Sequence, residues 1–115
     1  MSNRITRQQL AERVLAGRVV LVEALPERYY VDRHLPGALH LPHDQVAALA
    51  PSLLKDKDAE IVVYCANVNC QNSHIAANSL LGLGYRSVSV YAEGKQDWID
   101  AGLPVQSGAM LQRAA

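Results

Sequence analysis

The sequence predicts an α/β domain with a mostly parallel central sheet and helices on both of its faces. Two continuous apolar, β-branched runs at residues 19–22 and 61–64, an alternating run at 88–91, and helical periodicities between them carry that prediction. Strands that alternate with helices across short loops imply right-handed crossovers and parallel neighbours.

Thr6 and Gln9 stand at capping-box spacing, and Leu10, Val14 and Leu15 recur at helical intervals until Gly17 offers a stop. Val19-Val20-Leu21-Val22 follows as a strand covered on both faces, ended by Pro26 and the polar residues after it. Pro36-Gly37 marks a turn ahead of a short extended piece that closes at Pro42. Asp44 is expected to cap a helix through Val46, Leu49 and Leu53-Leu54, which Pro51 breaks or kinks. Ile61-Val62-Val63-Tyr64 is the second buried strand and runs straight into Cys65. Ile75, Ala76, Leu80 and Leu83 then share a helical face that closes at Gly82 or Gly84. Val88-Ser89-Val90-Tyr91 is the third strand, and residues 93–101 form a last short helix anchored by Trp98 and ended by Gly102-Leu103-Pro104.

A chain of 115 residues, half of them hydrophobic, buries one core and hardly two. Residues 1–105 are therefore read as a single domain, and 106–115 as a short C-terminal tail, either a loose extension or a docking arm. Eleven basic residues balance eleven acidic ones, which leaves no electrostatic footprint for nucleic acid or an anionic membrane. No run approaches the roughly 18 apolar residues of a membrane span, and the first residues lack the apolar stretch of a signal peptide. The expectation is a cytoplasmic protein with no nucleic-acid and no membrane partner.

The two cysteines, Cys65 and Cys70, are too few to staple a secreted mini-domain and the wrong count for a zinc site made of cysteine pairs. In a reducing compartment such a pair is catalytic, redox-active or simply buried. Cys65 falls at the carboxyl end of a strand, where open α/β sheets bind ligands. The loop beyond it, Ala66, Asn67, Val68, Asn69, Gln71 and Asn72 around Cys70, carries no charge. Its backbone N–H groups and the following helix start can make a concavity that favours anions and lowers a thiol's pKa. Cys70 is a resolving or relay thiol, a persulfide acceptor, or a packing residue, and local sequence leaves these open.

His34, His40, His43 and His74 are irregularly spaced, so no metal site is expected. His74 either shares a helix face with Cys70 or is an exposed first-turn residue. Tyr29 and Tyr30 are expected to pack under the loop after the first strand. Arg33 and Arg86, which could project toward the loop rim, are read as solvated surface.

Four segments in order resemble a rhodanese-like domain from about Val19 to Val105. His34-Leu35-Pro36-Gly37-Ala38 resembles the family's His-Ile-Pro-Gly-Ala segment, and Val62-Val63-Tyr64-Cys65 resembles the strand that delivers its active cysteine. Ser73, Ala76-Ala77 and residues 80–85 resemble the helix behind the active loop and its Leu-Gly-Tyr exit. Residues 93–98 and 101–105 resemble the Gly-Gly-x-x-x-Trp and Ala-Gly-Leu-Pro-Val segments.

The resemblance implies a sulfurtransferase in which Cys65 is the nucleophile and persulfide carrier. It also implies that the backbone of residues 66–72 is its cradle, with Ser73 hydrogen-bonding near that cradle. A small sulfur donor such as thiosulfate and a thiol acceptor, free or on a protein, would be the partners, and no cofactor is expected. This chain departs from the family pattern in two places. Glu23-Ala24-Leu25 stands where the family has Asp-x-Arg, and six residues separate Cys65 from Asn72, which occupies the place of the usual loop arginine. Without an arginine fork the loop must hold anions by backbone alone, which argues against phosphatase and arsenate-reductase chemistry and against fast thiosulfate turnover. The alternative reading is a catalytically weak rhodanese fold used as a binding or thiol redox-sensing module.

Overall fold

The computed structural model of the protein describes residues 3–109. The capping box forms as expected: Gln9 N–H donates to Thr6 Oγ1 at 3.1 Å and Thr6 N–H to Gln9 Oε1 at 3.0 Å, starting α1 (Arg7–Ala16), which Gly17 ends at φ 69°. Strands β1 (Asn3–Arg4), β2 (Val20–Glu23), β3 (Leu39–His40), β4 (Glu60–Tyr64) and β5 (Ser87–Tyr91) form one sheet in the order β1-β5-β4-β2-β3. Every pairing in it is parallel. The apolar run at 61–64 is therefore the central strand, buried on both faces, which is why it shows no polar alternation.

Helices cover both faces. On one side α3 (Val46–Leu53) and α4 (Asn72–Gly82) pack Val46, Ala50, Ala76, Ala77 and Leu80 against Val22, Ile61, Val63 and Val90. On the other, α1, α2 (Glu27–Asp32) and α5 (Gly94–Asp100) bring Leu10, Tyr30 and Trp98 onto Leu21, Val62, Tyr64 and Tyr91. Trp98 is a core anchor: it is buried, its Nε1–H donates to Pro104 O at 2.8 Å, and Tyr91 meets it edge-on.

The elements depart from expectation in six places. Helix α2 and strand β1 are additions; α2 is a six-residue turn held by Tyr30, whose buried hydroxyl donates to Ala38 O at 2.6 Å, while Tyr29 beside it is exposed. Asp44 is not a cap, since α3 begins after Gln45 without a side-chain cap. Pro51 lies inside α3 without ending it, and the carbonyl to which it cannot donate belongs to Ala47, an exposed residue. In α1 the stripe rests on Leu10, with Leu15 exposed, and in α4 it is Ser73, Ala76, Ala77 and Leu80, with Ile75 exposed.

Bonded structure also continues past Val105. Gln106 exchanges backbone hydrogen bonds with His34 at 2.8 and 2.9 Å, its Oε1 accepts from Gly37 N–H, and Gly108 N–H donates to Val31 O. The first part of the segment read as a tail is thus docked on the domain, and residues 110–115 lie outside the described residues.

Candidate active site

Cys65 immediately follows β4, the central strand, at the carboxyl end of the sheet. It is buried, with 1% of its surface exposed. Its sulfur is bonded to that of Cys70, with the two Cα atoms 6.3 Å apart, inside the range a disulfide spans. Ser73, in the first turn of α4, is buried as well and places its Oγ 3.4 Å from Cys65 Sγ, where the hydroxyl can donate to a thiolate.

The loop between the two sulfurs is built around Asn67. Its side-chain Oδ1 accepts from Asn69 N–H at 3.0 Å and its backbone carbonyl from Cys70 N–H at 3.1 Å, the pattern of an asparagine-initiated turn. Val68 at the tip is exposed, Gln71 precedes α4 and accepts from Ile75 N–H, and Asn72 is the first helical residue. In this disulfide form the amides of Asn69 and Cys70 turn toward Asn67, and no loop N–H among the described residues is bonded to Cys65 Sγ. In this form the loop between the two cysteines is a closed turn on Asn67.

The other wall of the loop is the start of α5. Lys95 N–H donates to Cys65 O at 2.8 Å and Gln96 N–H to Ala66 O at 2.9 Å. Gly94, at φ 75°, lets that wall come close enough to do so.

Beneath the site lies a buried polar network that sequence reasoning missed. Glu23, fully buried at the end of β2, accepts from Tyr64 OH at 2.7 Å and from Lys95 Nζ at 3.1 Å. Burial, and then the neighbouring Glu23 charge, hold the Tyr64 hydroxyl well above the ordinary tyrosine range. The available signal was Glu23 itself, an acid at the end of an apolar strand with no arginine after it, which requires a cation from elsewhere in the fold.

Both arginines considered for the rim are exposed and lie beside aspartates, as expected of solvated surface. Arg86 precedes β5 at the opposite end of the sheet and pairs with Asp58, and Arg33 is exposed beside Asp32. His34 is a buried structural residue stacked on Tyr30, with Nδ1 2.8 Å from Tyr30 O. His40 and His43 line an open groove of about 460 Å³ whose walls include no residue of the cysteine loop. Among the described residues no group of three or more His, Cys, Asp or Glu is arranged to hold a metal ion, and no helix is long and apolar enough to cross a membrane.

The model of the rhodanese-like domain matches residues 6–101. The chain belongs to the rhodanese-like family. Among curated relatives, this rhodanese-like chain is 37% identical over 105 residues to the HTH-type transcriptional regulator Rv0324 of Mycobacterium tuberculosis, covering 91% of this chain and 45% of that protein. It is 32% identical over 87 residues to the adenylyltransferase and sulfurtransferase UBA4 of Candida albicans, covering 70% of this chain and 19% of that protein. The chain thus spans less than half the length of either relative. Its fold is that of the BH2092 protein of Bacillus halodurans, with a TM-score of 0.84 at 20% identity, covering 92% of this chain and 77% of the other.

Proposed function

We propose that the protein is a sulfurtransferase in which Cys65 carries a persulfide and Cys70 resolves it. The observation that carries this reading is the bond between the two sulfurs at the carboxyl end of the central strand, since a resolving thiol must reach the sulfur it attacks. In the reduced protein the Cys65 thiolate attacks the sulfane sulfur of a donor and expels the donor's leaving group, sulfite if the donor is thiosulfate. The Cys65 persulfide then gives its outer sulfur to an acceptor thiol, which regenerates the Cys65 thiol. Alternatively, Cys70 attacks Cys65 Sγ, expels hydrosulfide and leaves the Cys65–Cys70 disulfide, which a dithiol reductant reopens with two electrons. Ser73 donates to the Cys65 thiolate during attack, and the loop of Ala66, Asn67, Val68, Asn69, Gln71 and Asn72 surrounds the transferred sulfur once the disulfide is open. An uncharged loop suits a thiol or protein-borne acceptor better than a doubly charged oxyanion. The whole of residues 1–105 serves this one site, in a cytoplasmic setting.

The test is intact mass after incubating the reduced protein with thiosulfate and with other sulfane donors. Gain of one sulfur that disappears in Cys65→Ser is expected; no gain with any donor, or gain that survives Cys65→Ser, sinks the proposal.

A second reading, a thiol redox-sensing module, is favoured by the same closed disulfide and by the likeness to a transcriptional regulator over less than half of that protein's length. Disulfide closure under mild oxidant with negligible sulfur loading would select it.

A further inference from the structure

The buried network beneath the cysteine loop has no part in the steps proposed above, yet it reaches Cys65 from two sides, through Lys95 and through the preceding Tyr64. Lys95 makes two kinds of contact. Its backbone N–H holds the Cys65 carbonyl at 2.8 Å, and its side chain turns into the core to meet Glu23 Oε1 at 3.1 Å, Tyr29 O at 2.8 Å and Arg33 O. An ammonium has three N–H donors and finds three acceptors here, so it is fully used. Glu23 faces Tyr64 across the β2–β4 register, and the Tyr64 hydroxyl bridges Glu23 Oε1 and Leu35 N–H. The residue before Cys65 and the carbonyl of Cys65 are thereby held from one lysine and its carboxylate.

Stability does not account for this pair. Both groups are withdrawn from water, and Glu23 Oε2 has no hydrogen-bond partner among the described residues. Replacing a buried ion pair by well-packed apolar residues of similar volume is often neutral or stabilising. Apolar residues cannot supply the three side-chain bonds that tie the start of α5 to β2 and to α2, and those bonds fix where the Lys95 backbone N–H meets the Cys65 carbonyl.

We propose that Lys95, neutralised by Glu23, is the positioning residue of the cysteine loop: its side-chain bonds anchor the start of α5, whose backbone N–H holds the Cys65 carbonyl, and the balance of the two charges sets the field at the Cys65 sulfur. This rests on Cys65 being the reactive thiol, as proposed above. The test uses alkylation, which needs no sulfur donor, so that failure of sulfur transfer and failure of this inference are told apart.

In a Cys70→Ser background, where Cys65 is the single thiol, alkylation by iodoacetamide and ultraviolet thiolate absorbance are compared for K95M, E23Q and E23Q/K95M at neutral pH. K95M uncovers a negative charge that opposes the thiolate and slows alkylation; E23Q uncovers a positive charge and speeds it, each by about fivefold, with the double variant between them. A packing role alone moves both single variants in the same direction, and that result, or no change in either, overturns the proposal. If K95M fails to fold, E23Q against E23Q/K95M still decides: the double is expected to be about fivefold slower, and equal rates overturn it.

With both cysteines present, E23Q/K95M keeps the charge balanced but loses the side-chain bonds that anchor the start of α5. Its disulfide-closing equilibrium against glutathione is expected to weaken about fivefold, because closure depends on how well the two thiols are held together. Unchanged closure overturns the positioning role.

Discussion

Gly94 stands directly behind Cys65: a Cβ placed on Gly94 would lie 2.8 Å from Cys65 O, 2.7 Å from Asn67 N and 2.9 Å from Ala66 C. All three neighbours are backbone atoms of the cysteine loop, so none can swing aside as a side chain would. Gly94→Ala is expected to lose about 3 kcal/mol of stability, from steric conflict added to the strain of a left-handed φ. Gly102 provides the comparison, because its φ of 76° nearly equals that of Gly94 while nothing lies within 4 Å of its Cβ position. Gly102→Ala should lose only about 1 kcal/mol. Denaturant midpoints of the two variants check this, and equal losses would show that close approach to the loop carries no energy.

That contact also marks the limit of what the sequence discloses. β4 is legible because burial on both faces makes Ile61-Val62-Val63-Tyr64 a continuous apolar run, and Cys65 is legible as a site because it follows that run into a polar loop. Helix α1 is legible from Thr6, Gln9 and Gly17, which announce both its ends locally. Helix α2 is not, since six residues make fewer than two turns and leave no periodicity to read. In α4, Ile75 and Ser73 exchange the roles their polarity suggests: the helix is rotated so that Ser73 faces Cys65 and the small Ala76 and Ala77 face the sheet. The Glu23–Lys95 pair joins positions 72 residues apart, and only the packing of α5 against the end of β2 brings them together.

The Ser73 hydroxyl, buried and 3.4 Å from Cys65 Sγ, is expected to stabilise the thiolate by one hydrogen bond. Ser73→Ala should slow alkylation of reduced Cys65 by about fivefold, the worth of about 1 kcal/mol. Fold stability should change little, because alanine fits the space and no other partner is orphaned. Alkylation rates beside thermal melts check it; an unchanged rate would reduce Ser73 to a packing residue.

Resolution by Cys70 has its own signature. In Cys70→Ser the sulfur loaded onto Cys65 has no internal thiol to expel it and should persist until an external thiol is added, whereas the unmodified chain should release hydrosulfide and return to the disulfide mass. A mass time course after removal of the donor distinguishes them. Equal decay in both proteins would mean that Cys70 does not attack the persulfide.

Alkaline pH should unfold the protein through its buried tyrosines. Desolvation raises the Tyr64 hydroxyl well above its ordinary value of 10.0, and the Glu23 charge adds to the shift; for Tyr91, desolvation and the hydrogen bond it donates to Asp97 act the same way. The folded chain therefore keeps protons that the unfolded chain releases. The stability this contributes is fully present below pH 10 and is lost as pH rises from the unfolded value toward the folded one. Tyr64→Phe lowers stability at neutral pH by about 1–3 kcal/mol, since it leaves Leu35 N–H unpaired and removes a donor from Glu23. Above pH 10, however, its stability should fall less steeply than that of the unmodified chain, by about 1.4 kcal/mol per pH unit for the one proton removed from the linkage. Urea titrations at a series of pH values from neutral to strongly alkaline read both effects, and parallel curves for the two proteins would show that Tyr64 does not carry the alkaline transition.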